Sequence, residues 1–267
     1  MLRITPIVKN FLIINVLLFV ATYIVGTRFN TDLTSYLALY YPGSQNFQPY
    51  QFVTYMFMHG GIGHIFFNMY ALWMFGSAIE NDWGGKRFFI YYFFTGIGAA
   101  ILHCFVNYLI FSGIYADITA FSNTPSPELF KQFIDAHKDG FKPEYVSQWY
   151  QYYYDWSNTP QNLSYTNYAT SIMYGIAKAL TDIPTVGASG AVFGLLLAFG
   201  MMYPNAQLML IIPPIPVKAK WFVLGYGVIE LYLGFSQPGS SIAHFAHLGG
   251  MLFGFLLIKY WNLKMKH

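Results

Sequence analysis

Residues 186–203 read VGASGAVFGLLLAFGMMY, a run with four glycines and no charge. Its length is close to the roughly 20 apolar residues that carry a helix across hydrocarbon. The whole chain has the same character: 55% of its 267 residues are hydrophobic and 9% are charged, where a soluble domain has about 25% charged. The predicted class is an all-α, polytopic membrane protein. Ser189 stands at the head of this run between Gly187 and Gly190. Hydrocarbon offers a hydroxyl no partner. A helix N-terminus, by contrast, has free backbone N–H groups and the positive end of the dipole, which suit a negatively charged oxygen. The two glycines remove side-chain bulk, so a substrate backbone or a second helix can come close.

Working outward, five more runs read as spans: Ile7 to Val25, Ile62 to Ile79, Phe88 to Phe111, Val217 to Phe235 and Ile242 to Trp261. Lys218 and Lys220 interrupt the fifth span early and are expected to snorkel. The expectation is a six-transmembrane-helix bundle in two halves, residues 1–111 and 186–267. Between them lies a polar, tyrosine-rich extracytoplasmic insertion, residues 112–185. Ser126-Pro127-Glu128 has the order of an N-cap, a first-position proline and a first-turn acid. Lys142-Pro143-Glu144 is placed to open a second helix. Residues 168–180 are apolar on one face, so the insertion is predicted to be a mostly helical cap. Pro213, Pro214 and Pro216 break the run Leu208 to Ile215, which reads as a loop at the membrane surface.

Basic residues set the orientation. With the N-terminus inside, the inner segments hold Arg3, Lys9, Lys86, Arg87, Lys218, Lys220, Lys259, Lys264 and Lys266, and the short outer ones hold only Arg28. Both termini are therefore expected in the cytoplasm, with the chain in a bacterial cytoplasmic membrane. Spans two, four and six then all run inward from the outer face. His59, Ser189 and His247 then fall at a common depth near that face.

Ionisable groups inside spans are costly and are functional candidates by default. Serine hydrolysis needs a nucleophile, a base within about 3 Å and donors for the oxyanion. Ser189 fits the first role. His244 and His247 are both candidate bases. His247 lies at i−3 from Gly250, on the small-residue face formed with Gly254, so tight packing against span four favours it. His64 and Asn68 share a helical face at i, i+4 and suit an oxyanion site, with the Ser189 N–H as a further donor. Glu230, in the outer half of span five, either faces a water-filled cavity or bonds to another span. His103 has no nameable partner in the sequence and reads as structural.

These residues resemble the rhomboid intramembrane serine proteases. The likeness rests on three motifs in order: His-x4-His-x3-Asn at His59, His64 and Asn68; Gly-x-Ser-Gly at Gly187 to Gly190; and His-x-x-Gly-x-x-x-Gly at His247 to Gly254. The turn Glu80-Asn81-Asp82-Trp83-Gly84-Gly85-Lys86 is also similar. The resemblance implies a serine–histidine dyad without an acid, here Ser189 and His247. It further implies an oxyanion site from His64, Asn68 and the Ser189 backbone, room for the substrate carbonyl at Gly187, and a water-holding role for His59. The implied substrates are membrane proteins with a transmembrane segment, cleaved in the bilayer. Span five and the loop Ser236 to Ser241 are the implied gate and cap. The chain departs from the family at Tyr50-Gln51, where many members have Trp-Arg, and at Phe193, where tyrosine is frequent.

The histidines also raise zinc as an alternative, but a zinc site has no need of a glycine-framed serine, so neither metal nor cofactor is expected. A catalytically inactive rhomboid-like membrane-protein-binding factor is the alternative function. A small transporter has no internal duplication to support it. Nucleic-acid binding lacks a basic block. The single cysteine, Cys104, excludes an internal disulfide.

Overall fold

Leu17, Tyr23, Phe66, Phe67, Phe105 and Leu109 stand exposed on helix surfaces. Apolar faces of this extent suit lipid and not water. The computed structural model describes residues 3–162, 164–209, 215–236 and 243–262. Among the described residues, three helical stretches are long and apolar enough to cross a membrane. The first is α1, Pro6–Phe29. The second, Ile62–Trp83, joins α4 (Ile62–Ala71) through a π-helical turn at Leu72–Gly76 to α5 (Ser77–Trp83). The third is α6, Gly85–Asn123. The helices α10 (Ser189–Met202), α11 (Ala219–Ser236) and α12 (His244–Tyr260) are shorter or less apolar. Of the six expected spans, three thus meet the length and hydropathy of a span outright.

The connection between α1 and α4 carries two short helices, α2 (Thr34–Leu37) and α3 (Gln51–Thr54), and a 3-10 turn at Tyr55–Phe57. Gln51 organises it. Its fully buried amide donates to the carbonyls of Tyr36 (3.2 Å) and Asn46 (3.0 Å) and accepts from the backbone N–H groups of Tyr40 (3.3 Å) and Gln48 (3.1 Å). The departure noted at Tyr50-Gln51 is therefore the staple of this loop. Glu80 plays a comparable part on α1. It accepts from the N–H groups of Ile7 (3.0 Å) and Val8 (2.9 Å) and from the Thr5 hydroxyl, satisfying donors that the first turn of a helix leaves open.

α6 runs on well past the expected span end at Phe111, for 39 residues or roughly 58 Å. Nothing in the sequence stops it there. It ends at Thr124, the residue before Pro125, where helical dihedrals are disfavoured. Beyond it lie α7 (Pro127–His137), α8 (Pro143–Ser157) and α9 (Ser164–Thr181). Ser126 caps α7 by accepting from the Leu129 N–H at 3.2 Å, as its sequence signature predicted. These three helices close a second hydrophobic cluster, with Phe130, Phe133, Trp156 and Met173 packed on Phe111, Ile114, Ile118 and Phe121 of α6.

The expected surface loop after α10 contains an antiparallel hairpin, β1 (Gln207–Met209) with β2 (Pro216–Lys218), Leu208 opposite Val217. Pro216 opens its strand, a place where the missing N–H is tolerated. Pro213 and Pro214 lie outside the described residues, as does the loop expected at Ser236 to Ser241 apart from Ser236 itself, which ends α11. Lys218 belongs to this strand, so the fifth helix starts only at Ala219.

The centre of the membrane core is a seam of α6, α10 and α12. A Cβ placed on Gly250 would run into the carbonyl of Gly190, and one on Gly190 into Ala99. Gly194 faces Thr95, and Gly254 faces Tyr91 and Thr95. The small-residue face of α12 is thus shared between α10 and α6, where the sequence pointed to α10 alone. The Tyr91 hydroxyl donates to the Gly194 carbonyl at 2.8 Å and locks the seam. Gly250→Ala is expected to lower the melting temperature in detergent by about 5–10 °C, because backbone cannot yield as a side chain does. Gly113→Ala meets open space and should leave it unchanged or slightly raised. Thermal melts of the two variants check this.

Candidate active site

Ser189 is the first residue of α10, and its backbone N–H is one of the donors that a helix start leaves without an intrahelical partner. The approach to it is fixed from below and beside. The Gly187 N–H donates to the Tyr55 carbonyl at 2.9 Å, and Leu39 and Thr185 exchange backbone bonds at 2.8–2.9 Å. Gly187 has φ +129°, a conformation that L side chains avoid. A Cβ there would also stand 2.7 Å from His64 Nε2. Glycine is required at this position on both counts.

α12 delivers His247 to this point. Its Nε2 lies 2.8 Å from Ser189 Oγ. The ring stacks on Phe193, one turn along α10, at 4.1 Å between centroids and 3° between planes. His244, the other candidate base, does not reach the serine. Its Nδ1 lies 2.6 Å from Glu230 Oε2, and the same oxygen is 3.0 Å from His247 Nδ1. Glu230, undecided from sequence, thus bonds across to α12. Glu230, His244 and His247 are the three side chains among the described residues whose donor atoms could surround a metal ion, all within 4.8 Å. The 2.6 Å approach is shorter than the roughly 3.3 Å that two ligands keep around a tetrahedral ion with 2.0 Å bonds. It is the distance of a shared proton.

α4 supplies the facing wall. His64 Nδ1 accepts weakly from the Gly60 N–H at 3.4 Å, which leaves the proton on Nε2, beside Gly187. Asn68 donates one amide hydrogen to the His64 carbonyl at 3.1 Å and keeps the other for the cavity. Ser189, His247, His64, Asn68 and Gly187 all line a cavity of about 1210 Å³ that extends to Ala136 and His137 of α7. His59 does not line it. Its ring packs edge-on against His64 at 5.1 Å, and both nitrogens are buried. His103 does have partners, Thr185 Oγ1 at 2.9 Å and Asn107 Nδ2 at 3.2 Å. Thr185 lies far along the chain, which is why spacing could not find it.

The sequence model of the Rhomboid domain matches residues 46–120 and 164–262, more than half of the chain. The chain belongs to the rhomboid family. The match is interrupted at residues 121–163, which hold α7 and α8. Membership, together with helices of spanning length, makes the chain an integral membrane protein. "Rhomboid protein 1, mitochondrial" of Saccharomyces cerevisiae is 37% identical over 73 residues, 27% of this chain and 21% of that protein. "Rhomboid-like protein 11, chloroplastic" of Arabidopsis thaliana is 38% identical over 53 residues, 20% of this chain and 19% of that one. The matched stretch thus spans about a fifth of the length of each curated relative. Both names are organellar, so the likeness lends no support to a bacterial cytoplasmic membrane.

Burial, and after it the neighbouring His64, push the His59 imidazole down to about 4. In the unfolded chain the group titrates near 6.5. Between these values the unfolded state binds more protons, so the stability tied to neutral His59 is present above pH 6.5 and is lost as the pH falls towards 4. Melts at pH 7 and pH 5 should show His59→Phe losing less stability on acidification than the parent.

Proposed function

We propose that this protein is an intramembrane serine endopeptidase that cleaves transmembrane segments of membrane proteins, with Ser189 as nucleophile and His247 as general base. The 2.8 Å contact between His247 Nε2 and Ser189 Oγ carries this reading, because a nucleophile and its base within hydrogen-bond reach are the minimum apparatus of acyl transfer. Ser189 Oγ attacks the scissile carbonyl while its proton passes to His247 Nε2. The oxyanion forms beside the Ser189 N–H, His64 Nε2–H and the free Asn68 hydrogen, three donors fixed before the reaction. His247 returns the proton to the leaving amine. Water then attacks the acyl-enzyme, with His247 again as base. Gly187 leaves room for the substrate carbonyl, and His59 supports His64 from behind.

The architecture that serves this chemistry is six spans: α1, the stretch from α4 through α5, α6, α10, α11 and α12. α10 is short because it lies at the centre, where neighbouring helices cover it and little of it meets lipid. Residues 112–185 form the insertion between the two halves, on the outer side. His137 and Asp139 bring its wall to the cavity, so the insertion is placed to read the part of a substrate outside the bilayer.

Ser189→Ala and His247→Ala are each expected to lower cleavage of a model transmembrane substrate at least 10³-fold and to abolish fluorophosphonate labelling at Ser189. Parental cleavage in either variant ends this reading, and absence of both labelling and cleavage in the parent would favour the inactive, binding relative. A second prediction concerns the cap. The double substitution His137→Ala with Asp139→Ala should alter the ratio of rates on substrates that differ only outside the membrane, by about 5-fold or more. The rate on a substrate without an outer segment should stay within twofold of the parent.

A further inference from the structure

Glu230 is 5% exposed, in the C-terminal half of α11. A carboxylate removed from water needs cations or proton donors around it. Among the described residues, the side chains that bond or pair with it are His244 and His247, both from α12, and both present Nδ1 to Oε2. The His244 bond is short, at 2.6 Å. The His247 contact is 3.0 Å and bent away from hydrogen-bond alignment, so at rest it acts by charge and proximity.

This geometry constrains a proton. A neutral imidazole has one N–H and one lone pair, and it can accept the Ser189 proton only when Nε2 carries the lone pair. A serine–histidine pair alone does not dictate that state. A carboxylate beside Nδ1 does, because it repels the lone pair and attracts the hydrogen. It also lies where the imidazolium charge appears once His247 takes the serine proton. In a low-dielectric site that attraction straightens and strengthens the contact. Phe193 stacks on the ring face and fixes its tilt, but it has no say over the proton.

We propose that Glu230 is a positioning residue that holds His247 in the tautomer with Nδ1 protonated and Nε2 free to accept from Ser189, turning the expected dyad into a serine–histidine–glutamate relay, with His244 as a second donor that fixes the carboxylate. The catalytic consequence rests on Ser189 and His247 acting as proposed above; the tautomer does not.

Glu230 also docks α11, which buries only Ala219, Val223 and Glu230 among its described residues. The experiment must separate docking from positioning. Full-length protein labelled with 15N-histidine is measured in micelles, and the His247 ring nitrogens are assigned by their loss in His247→Ala. The expected result in the parent is a protonated Nδ1 and an unprotonated Nε2. The opposite tautomer in the parent overturns the proposal with no need of a variant. In Glu230→Gln, whose amide must donate as well as accept, the population should move to the Nε2–H form. Cleavage should fall about 10²-fold or more in kcat with KM within twofold. Glu230→Asp, which keeps the charge, should recover part of kcat. If Gln leaves tautomer and kcat at parental values, or if Gln and Asp lose activity equally and in step with melting temperature, Glu230 only docks the helix. Were Ser189→Ala to retain cleavage, the functional reading would fail while the tautomer measurement stood on its own.

Discussion

The approach of Gly250 to the backbone carbonyl of Gly190 is the contact on which the rest depends. Between helices in lipid there is no water to expel, so association rests on van der Waals fit and a few polar bonds. Fit of this closeness needs the absence of Cβ on α12, and the Tyr91 hydroxyl on Gly194 adds the polar bond. Once the two backbones touch at residue 250, the side chain three positions earlier on α12 is brought to the first turn of α10. The separation of His247 and Ser189 is thus a consequence of helix packing and not of any loop.

Two buried glutamates show how the same side chain serves different ends. Glu80 is surrounded by fixed donors: two backbone N–H groups and the Thr5 hydroxyl. Its surroundings do not titrate, and its task is to finish the first turn of α1. Glu230 is surrounded by two imidazoles, each presenting Nδ1 to the same carboxylate oxygen. One carboxylate is mortar and the other is placed beside the one histidine that touches the serine.

The glycines and the three motifs pointed to side chains that the structure brings to one cavity. Ser189, His247, His64 and Asn68 are local signals, each at a helix end or on one helical face, and hydropathy fixes which end. What stayed hidden depended on rotation or on distance along the chain. The sequence marked Glu230 as a candidate but could not say which way α11 turns about its own axis, and a turn of a third of a circle separates a lipid-facing side chain from one against His247. His103 and Thr185 are 82 positions apart. Gln51 was legible only as a departure, since four backbone groups of an irregular loop leave no periodic trace. The end of α6 was misplaced for a simpler reason. Hydropathy reports where apolar surface stops, whereas a helix stops where its backbone must, here at Thr124-Pro125.

α6 belongs to both hydrophobic clusters. One part carries Ala99 and Thr95 against the glycines of α10 and α12, and the part nearer its C-terminus carries Ile118 and Phe121 into the second cluster. An unbroken helix is stiff along its axis and has no hinge at which the two ends can part. Leverage applied at the far end of the rod, by anything that grips the second hydrophobic cluster, is therefore felt at the floor of the cleft where the serine sits.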